Sequence, residues 1–220
     1  MAKPEFNFED FEDGDTMNFP IPFAPVSVGS KNKKKTIKGD IQKCIPDCPY
    51  LLSGDVRLEI EWYVSARRRY EQTVHPDIDN IIKPILDALT GPQGLMIDDN
   101  QLQAVGCAWL DVPHLNETLN VELRWSPGDY VEKEGLCFVE LGTKLYFPFN
   151  STLPVEANRI LLSAVKKQLA AAKEIEDLWG AAHPNAALGR RLMPIQRFFH
   201  GGRLEKFVKM TLKEFEETLS

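Results

Sequence analysis

Between residues 56 and 64 apolar and polar side chains alternate without a slip. Val56, Leu58, Ile60, Trp62 and Val64 share one face, and Arg57, Glu59, Glu61 and Tyr63 share the other. A period of two predicts a half-buried strand. Leu119, Val121, Leu123 and Trp125 alternate with Asn120, Glu122 and Arg124 in the same way. Residues 17–23 and 101–110 read as further strands, the first at a sheet edge because Pro20 and Pro22 cannot donate to a ladder. Residues 136–149 supply one or two more. Over 79–90 the period changes, and Ile82, Ile85, Leu86 and Leu89 form a helical stripe. That helix has Asp79 as its expected N-cap and ends at Gly91-Pro92-Gln93-Gly94. Pro84, about one turn in, costs it a backbone hydrogen bond. Residues 26–54, with Gly29, Gly39, Pro46 and Pro49, read as a long loop.

After Pro154 the texture becomes helical. Residues 155–179 and 203–219 carry apolar side chains at helical spacing, the second with Leu204, Phe207, Val208, Leu212, Phe215 and Leu219. The pattern predicts an α+β fold, a small mixed sheet packed with helices, followed by a C-terminal helical extension. The expected divisions are an acidic tail at 1–16, a main domain at 17–150 and the extension at 151–220.

Composition adds bounds. The 220 residues are 43% hydrophobic with a formal net charge of −6, and the pI is near 5.3. An acidic total argues against a protein that simply coats nucleic acid. No apolar run is long enough to span a membrane, and the N-terminus lacks a signal-peptide layout, so a cytoplasmic location is expected. Cys44, Cys48, Cys107 and Cys137 read as reduced thiols; the Cys44–Cys48 pair lacks a second pair at zinc spacing. Charge is local, however. Lys31, Lys33, Lys34, Lys35 and Lys38 fall within eight residues, and Arg67, Arg68 and Arg69 are consecutive. The lysine run fits a phosphate grip and a solvated loop equally well.

The chemistry concentrates in His75-Pro76-Asp77-Ile78-Asp79-Asn80-Ile81-Ile82-Lys83. Pro76 disfavours helix at His75, so the chain enters extended. Residues i and i+2 then point the same way, and Asp77 and Asp79 project together at the mouth of a helix. Adjacent carboxylates repel, which one proton or one cation relieves. Mg²⁺, which takes a few carboxylate oxygens and keeps waters, suits the pair. Asp98 and Asp99 follow a turn and precede a strand, and a strand–helix–strand path can return them to the first pair. Lys83, four residues after Asp79, lies on the same helix face. Taken singly, Asp79 is explained by capping and Asp98-Asp99-Asn100 by a turn. The combination is harder to explain that way.

Asp77-Ile78-Asp79-Asn80-Ile81-Ile82-Lys83, then Asp87-Ala88-Leu89-Thr90, then Asp98-Asp99-Asn100-Gln101 resembles the signature of RusA-type Holliday junction resolvases. The resemblance is specific over residues 77–101 and follows the family's order over about 17–125. It implies a dimeric endonuclease that nicks four-way DNA junctions in pairs using Mg²⁺, with Mn²⁺ as the alternative ion. By position it implies Asp77, Asp79 and Asp99 as catalytic and metal-binding carboxylates and Lys83 as the catalytic lysine. Asp98 and Asn80 are secondary candidates. It also tips Lys31, Lys33, Lys34 and Lys35, with Arg67, Arg68 and Arg69, toward DNA contact. The extension and the acidic tail have no counterpart in the resemblance. The expected function is therefore junction resolution in DNA recombination and repair by a homodimer that needs no membrane. A nuclease for other branched DNA and a non-catalytic DNA-binding protein of the same fold are the alternatives.

Overall fold

The computed structural model describes residues 16–23, 31–71, 77–113, 116–180 and 198–220, without the side chains of residues 31–35. The acidic tail expected at 1–16 lies almost wholly outside the described residues. The chain forms two compact units, residues 1–129 and 130–220, and both mix strands with helices, an α+β fold.

The first unit is built on a four-stranded sheet. Strand β1 (Thr16–Ile21) is followed by helix α1 (Lys31–Cys44), β2 (Tyr50–Leu52), β3 (Val56–Val64) and a short helix α2 (Ala66–Glu71). Helix α3 (Ile78–Leu89), a 3₁₀ turn (Asp99–Gln101), β4 (Leu102–Asp111) and β5 (Thr118–Trp125) complete it. The sheet order is β1-β5-β3-β4. The proline-bearing β1 is an edge strand, as its composition requires. β3 runs antiparallel to β5, with Leu58 opposite Leu123 and Ile60 opposite Val121, and parallel to β4. A parallel pair needs a crossover, and α3 lies on that crossover. Every inward residue of β3 is buried, as are Ile41 on α1 and Ile81, Ile85, Ala88 and Leu89 on α3.

One expectation changes here. Residues 31–44 are helix, not loop. Ile37, Ile41 and Ile45 recur every fourth position, lysine is a good helix former, and α1 packs against α3. β4 is apolar yet poorly covered, with Val105 40% and Leu110 39% exposed on its open flank of the sheet.

The second unit holds β6 (Tyr130–Glu132), β7 (Leu136–Gly142), β8 (Leu145–Asn150), helix α4 (Val155–Trp179), β9 (Phe199–His200), β10 (Lys209–Thr211) and helix α5 (Leu212–Thr218). β7 and β8 pair antiparallel, and β10 adds parallel to β7. Cys137, Val139, Phe147 and Phe149 form one apolar cluster with Leu162, Val165, Phe215 and Leu219. The strands of 136–150 therefore share a core with the C-terminal helices, whereas the sequence pattern assigns them to the preceding domain. The helix expected over 203–219 shrinks to 212–218. Phe207 instead meets Phe138 edge-on, residues 209–211 form β10, and Thr211 caps α5 through a reciprocal bond with Glu214. Short apolar runs fit either period, and partners elsewhere in the unit decide.

Candidate active site

Helix α3 opens at Asp77, not at Asp79. Asp77 is the N-cap, with φ −80° and ψ 165°, but its side chain caps nothing. The turn is closed by backbone alone, Asn80 N–H to the Asp77 carbonyl at 3.1 Å. Asp79 sits in the first turn, and both carboxylates are exposed. The positive end of the helix dipole favours negative charge there. Asn80 is half-buried behind them.

One turn further on, Lys83 forms an ion pair with Asp87 at 2.8 Å. The hydrogen bond that the ammonium donates to Asp87 raises its pKa, and the charges of Asp87 and Asp99 reinforce this against partial desolvation. Lys83 is thus a permanent cation at neutral pH, suited to neutralising charge and unsuited to accepting a proton. Lys38 of α1 donates to the Asp87 carbonyl, which ties the lysine-bearing helix to the motif helix.

The chain then reverses in a tight bracket. Leu95 and Met96 both donate to the Leu89 carbonyl, at 2.8 and 2.9 Å, and Gly91 donates to Met96 at 2.9 Å. Gly91 has φ +98°, and a Cβ on Gly94 would lie 2.0 Å from the Leu89 oxygen, so both glycines are required. The bracket ends in the 3₁₀ turn. Asp98 caps it by accepting the Asn100 N–H at 2.8 Å. Gln101 closes a capping box. Asp98 and Gln101 are buried and Asp99 is half-buried.

Lys83 and Asp99 are thus brought within electrostatic reach of each other. Among the described residues, however, no three His, Cys, Asp or Glu side chains are grouped to hold a metal ion, so Asp77, Asp79 and Asp99 do not meet as a set. Asp98 is occupied as a cap.

The arginines divide. Arg67 is exposed and pairs with Glu71 at 3.0 Å. Arg68 reaches the buried Glu117 at 3.2 Å, and Glu117 also accepts the Trp62 indole N–H at 2.8 Å. The Arg69 guanidinium lies 4.0 Å from the ring centroid of Trp109, a cation–π contact, while Tyr70 meets Trp109 edge-on at 5.8 Å. Two of the three consecutive arginines therefore fasten α2 to the sheet. The Lys31, Lys33, Lys34 and Lys35 side chains lie outside the described residues, although α1 carries their backbone.

Gln101 stands in the sequence motif without a role, and Glu117 and the Arg69–Trp109 contact are absent from the site as read in the sequence. Only Gln101 had a local signal, an Asp followed three residues later by Gln ahead of an apolar run. Among the described residues no helix is long and apolar enough to cross a membrane.

No curated protein matches the chain. Residues 25–124 match the family model described as Endodeoxyribonuclease RusA, a stretch that includes α1, the motif helix, the Asp98–Gln101 turn and nearly all of β5. Over this stretch the chain is similar to the RusA endodeoxyribonuclease family.

Proposed function

We propose that this protein is a Mg²⁺-dependent endonuclease that hydrolyses phosphodiester bonds in branched DNA, four-way junctions above all, in recombination and repair. One observation carries the reading: in a stretch that matches the RusA family model, one helix bears Asp77, Asp79 and Lys83, and a braced turn holds Asp99 within the field of that lysine. The donor chemistry fits the ion. Asp77 and Asp79 are hard oxygen donors at one helix end, neither consumed in capping that helix, and Mg²⁺ needs only one or two carboxylates beside its waters. Asp99, which is not grouped with that pair in the structure, is the third donor proposed, its carboxylate turning toward the ion on binding, and Mn²⁺ takes the same donors. When bound, such an ion polarises the phosphate and lowers the pKa of a water. Lys83 sets its fixed positive charge against the negative charge that develops on the phosphate oxygens.

Lys31, Lys33, Lys34 and Lys35 are the proposed phosphate contacts, because α1 is packed on the motif helix. Arg67 is the freest of the arginine cluster for the same task, since an exposed pair such as Arg67–Glu71 is weak. A homodimer suits a two-fold substrate, and the uncovered apolar strand β4 offers a surface for a second copy.

The test is cleavage of four-way junctions, flaps, forks and linear duplex by the full chain with Mg²⁺, Mn²⁺ or Ca²⁺. Wild type should cut junctions fastest. Asp77→Asn, Asp79→Asn and Asp99→Asn should each lose at least about 10²-fold, and Lys83→Met about 10²-fold. Faster cutting of flaps or forks would move the substrate to other branched DNA. Binding without cutting would leave a DNA-binding protein, and full activity in Asp77→Asn would sink the site.

A further inference from the structure

Asp98, Asp99 and Gln101 stand within four residues, yet the turn uses them differently. Gln101 is 3% exposed, and its amide is saturated. Oε1 accepts the N–H groups of Ile97 and Asp98 at 2.8 and 2.9 Å. Nε2 donates to the carbonyls of Leu52 and Gly54 at 2.8 and 2.9 Å. A carboxamide has two donor hydrogens and two acceptor lone pairs, and here all four meet backbone. A flipped amide would face donors with donors and acceptors with acceptors, so its orientation is dictated by its partners. Asp98 is spent as the cap. Between these two fixed side chains lie Asp99 and Asn100, and Asp99 carries the carboxylate.

We infer that Gln101 is a positioning residue for phosphodiester hydrolysis, fastening the Asp98–Asp99 turn to the chain between β2 and β3 and so setting where the Asp99 carboxylate stands relative to α3. The inference rests on the nuclease reading above. The bracket supplies the other fixed point, because Leu95 and Met96 bond the end of α3 and Leu52 N–H bonds the Leu95 carbonyl at 2.8 Å. Gln101 thus joins the far side of the turn to the same Leu52 that holds its near side. A carboxylate misplaced by about 1 Å can cost on the order of 10²-fold in rate.

Two variants test it. Gln101→Met matches the side-chain length and removes every polar contact. Gln101→Glu keeps the acceptors and loses both donors, which covers the case in which the first variant does not fold. Each should lower kcat by about 10- to 100-fold with junction affinity in Ca²⁺ unchanged. Asp98→Asn, which keeps an oxygen acceptor, should recover most of the activity lost in Asp98→Ala. NMR titration of ¹³C-labelled lysine should show the Lys83 pKa falling in the Gln101 variants as the Asp99 charge moves away. Folded variants with unchanged kcat would overturn the inference. So would a loss that tracks only the unfolded fraction while the Lys83 titration stays put. A wild type that cuts no branched DNA, with a Lys83 titration that still responds to Gln101, would overturn the nuclease reading and keep the geometry.

Discussion

Glu117 is a buried carboxylate whose partners include the Trp62 indole and the Arg68 guanidinium. Trp62 is itself fully buried, so losing its acceptor would strand an N–H where water cannot reach. Glu117→Ala should destabilise the first unit by about 2–3 kcal/mol, a range discounted because Arg68 is half exposed. Glu117→Gln retains an acceptor for the indole and should cost about 1 kcal/mol. Urea unfolding followed by tryptophan fluorescence distinguishes them, and an alanine variant as stable as wild type would refute the account. Glu117 and Gln101 also show where residue-level reading stops. Asp77, Asp79, Lys83 and Asp99 stand out as candidates because they fall within 23 positions and their combination has few other uses. Glu117 meets Trp62 across 55 positions, and Gln101 meets Leu52 and Gly54 across 49 and 47. No local pattern encodes such pairings. Arg68 and Arg69 have a use that the run of arginines does not announce, since these two hold acidic and aromatic side chains of their own unit.

At the scale of elements, α1 joins the lysine run to the motif helix, and it has a built-in weakness. Gly39 lies mid-helix, and a Cβ built there meets nothing within 4 Å. Glycine costs about 0.5–1 kcal/mol in a helix interior relative to alanine, partly through the freedom of the unfolded chain. Gly39→Ala should therefore raise stability by up to about 1 kcal/mol, measured as a higher urea midpoint with an unchanged slope; a lower midpoint would contradict the helix there. The strands of the first unit and the motif helix were readable because burial on one face imposes a strict period. α1 was not, because its polar residues outnumber the isoleucines that face the core and two flanking prolines resemble loop punctuation. The 203–219 segment failed for another reason. Its apolar residues suit a helix, but β10 finds a partner in β7, and pairing with a distant strand outweighs local preference.

For the whole molecule the question is how an acidic chain approaches DNA. The first unit has 13 basic against 21 acidic side chains, and the second has 13 against 11. Residues 31–43 oppose this with six lysines and one aspartate, whereas residues 1–15 hold six acidic side chains and one lysine. The proposed DNA grip is thus a basic segment on the more acidic unit, and the N-terminal segment contributes most of the net repulsion. Removing residues 2–15 takes the formal charge from −6 to −1. Repulsion between a protein's charges and DNA phosphates decays over a Debye length of about 10 Å at 0.1 M salt. The truncated chain should bind junction DNA several-fold more tightly than the full chain at about 50 mM salt, the two affinities converging by about 0.3 M. Cutting at saturating DNA should be unchanged, because no proposed catalytic group is removed. Fluorescence anisotropy across a salt series provides the measurement. Equal affinities at low salt would mean that the acidic segment lies beyond electrostatic reach of the bound DNA, and the lysines of α1 would then act without opposition from it.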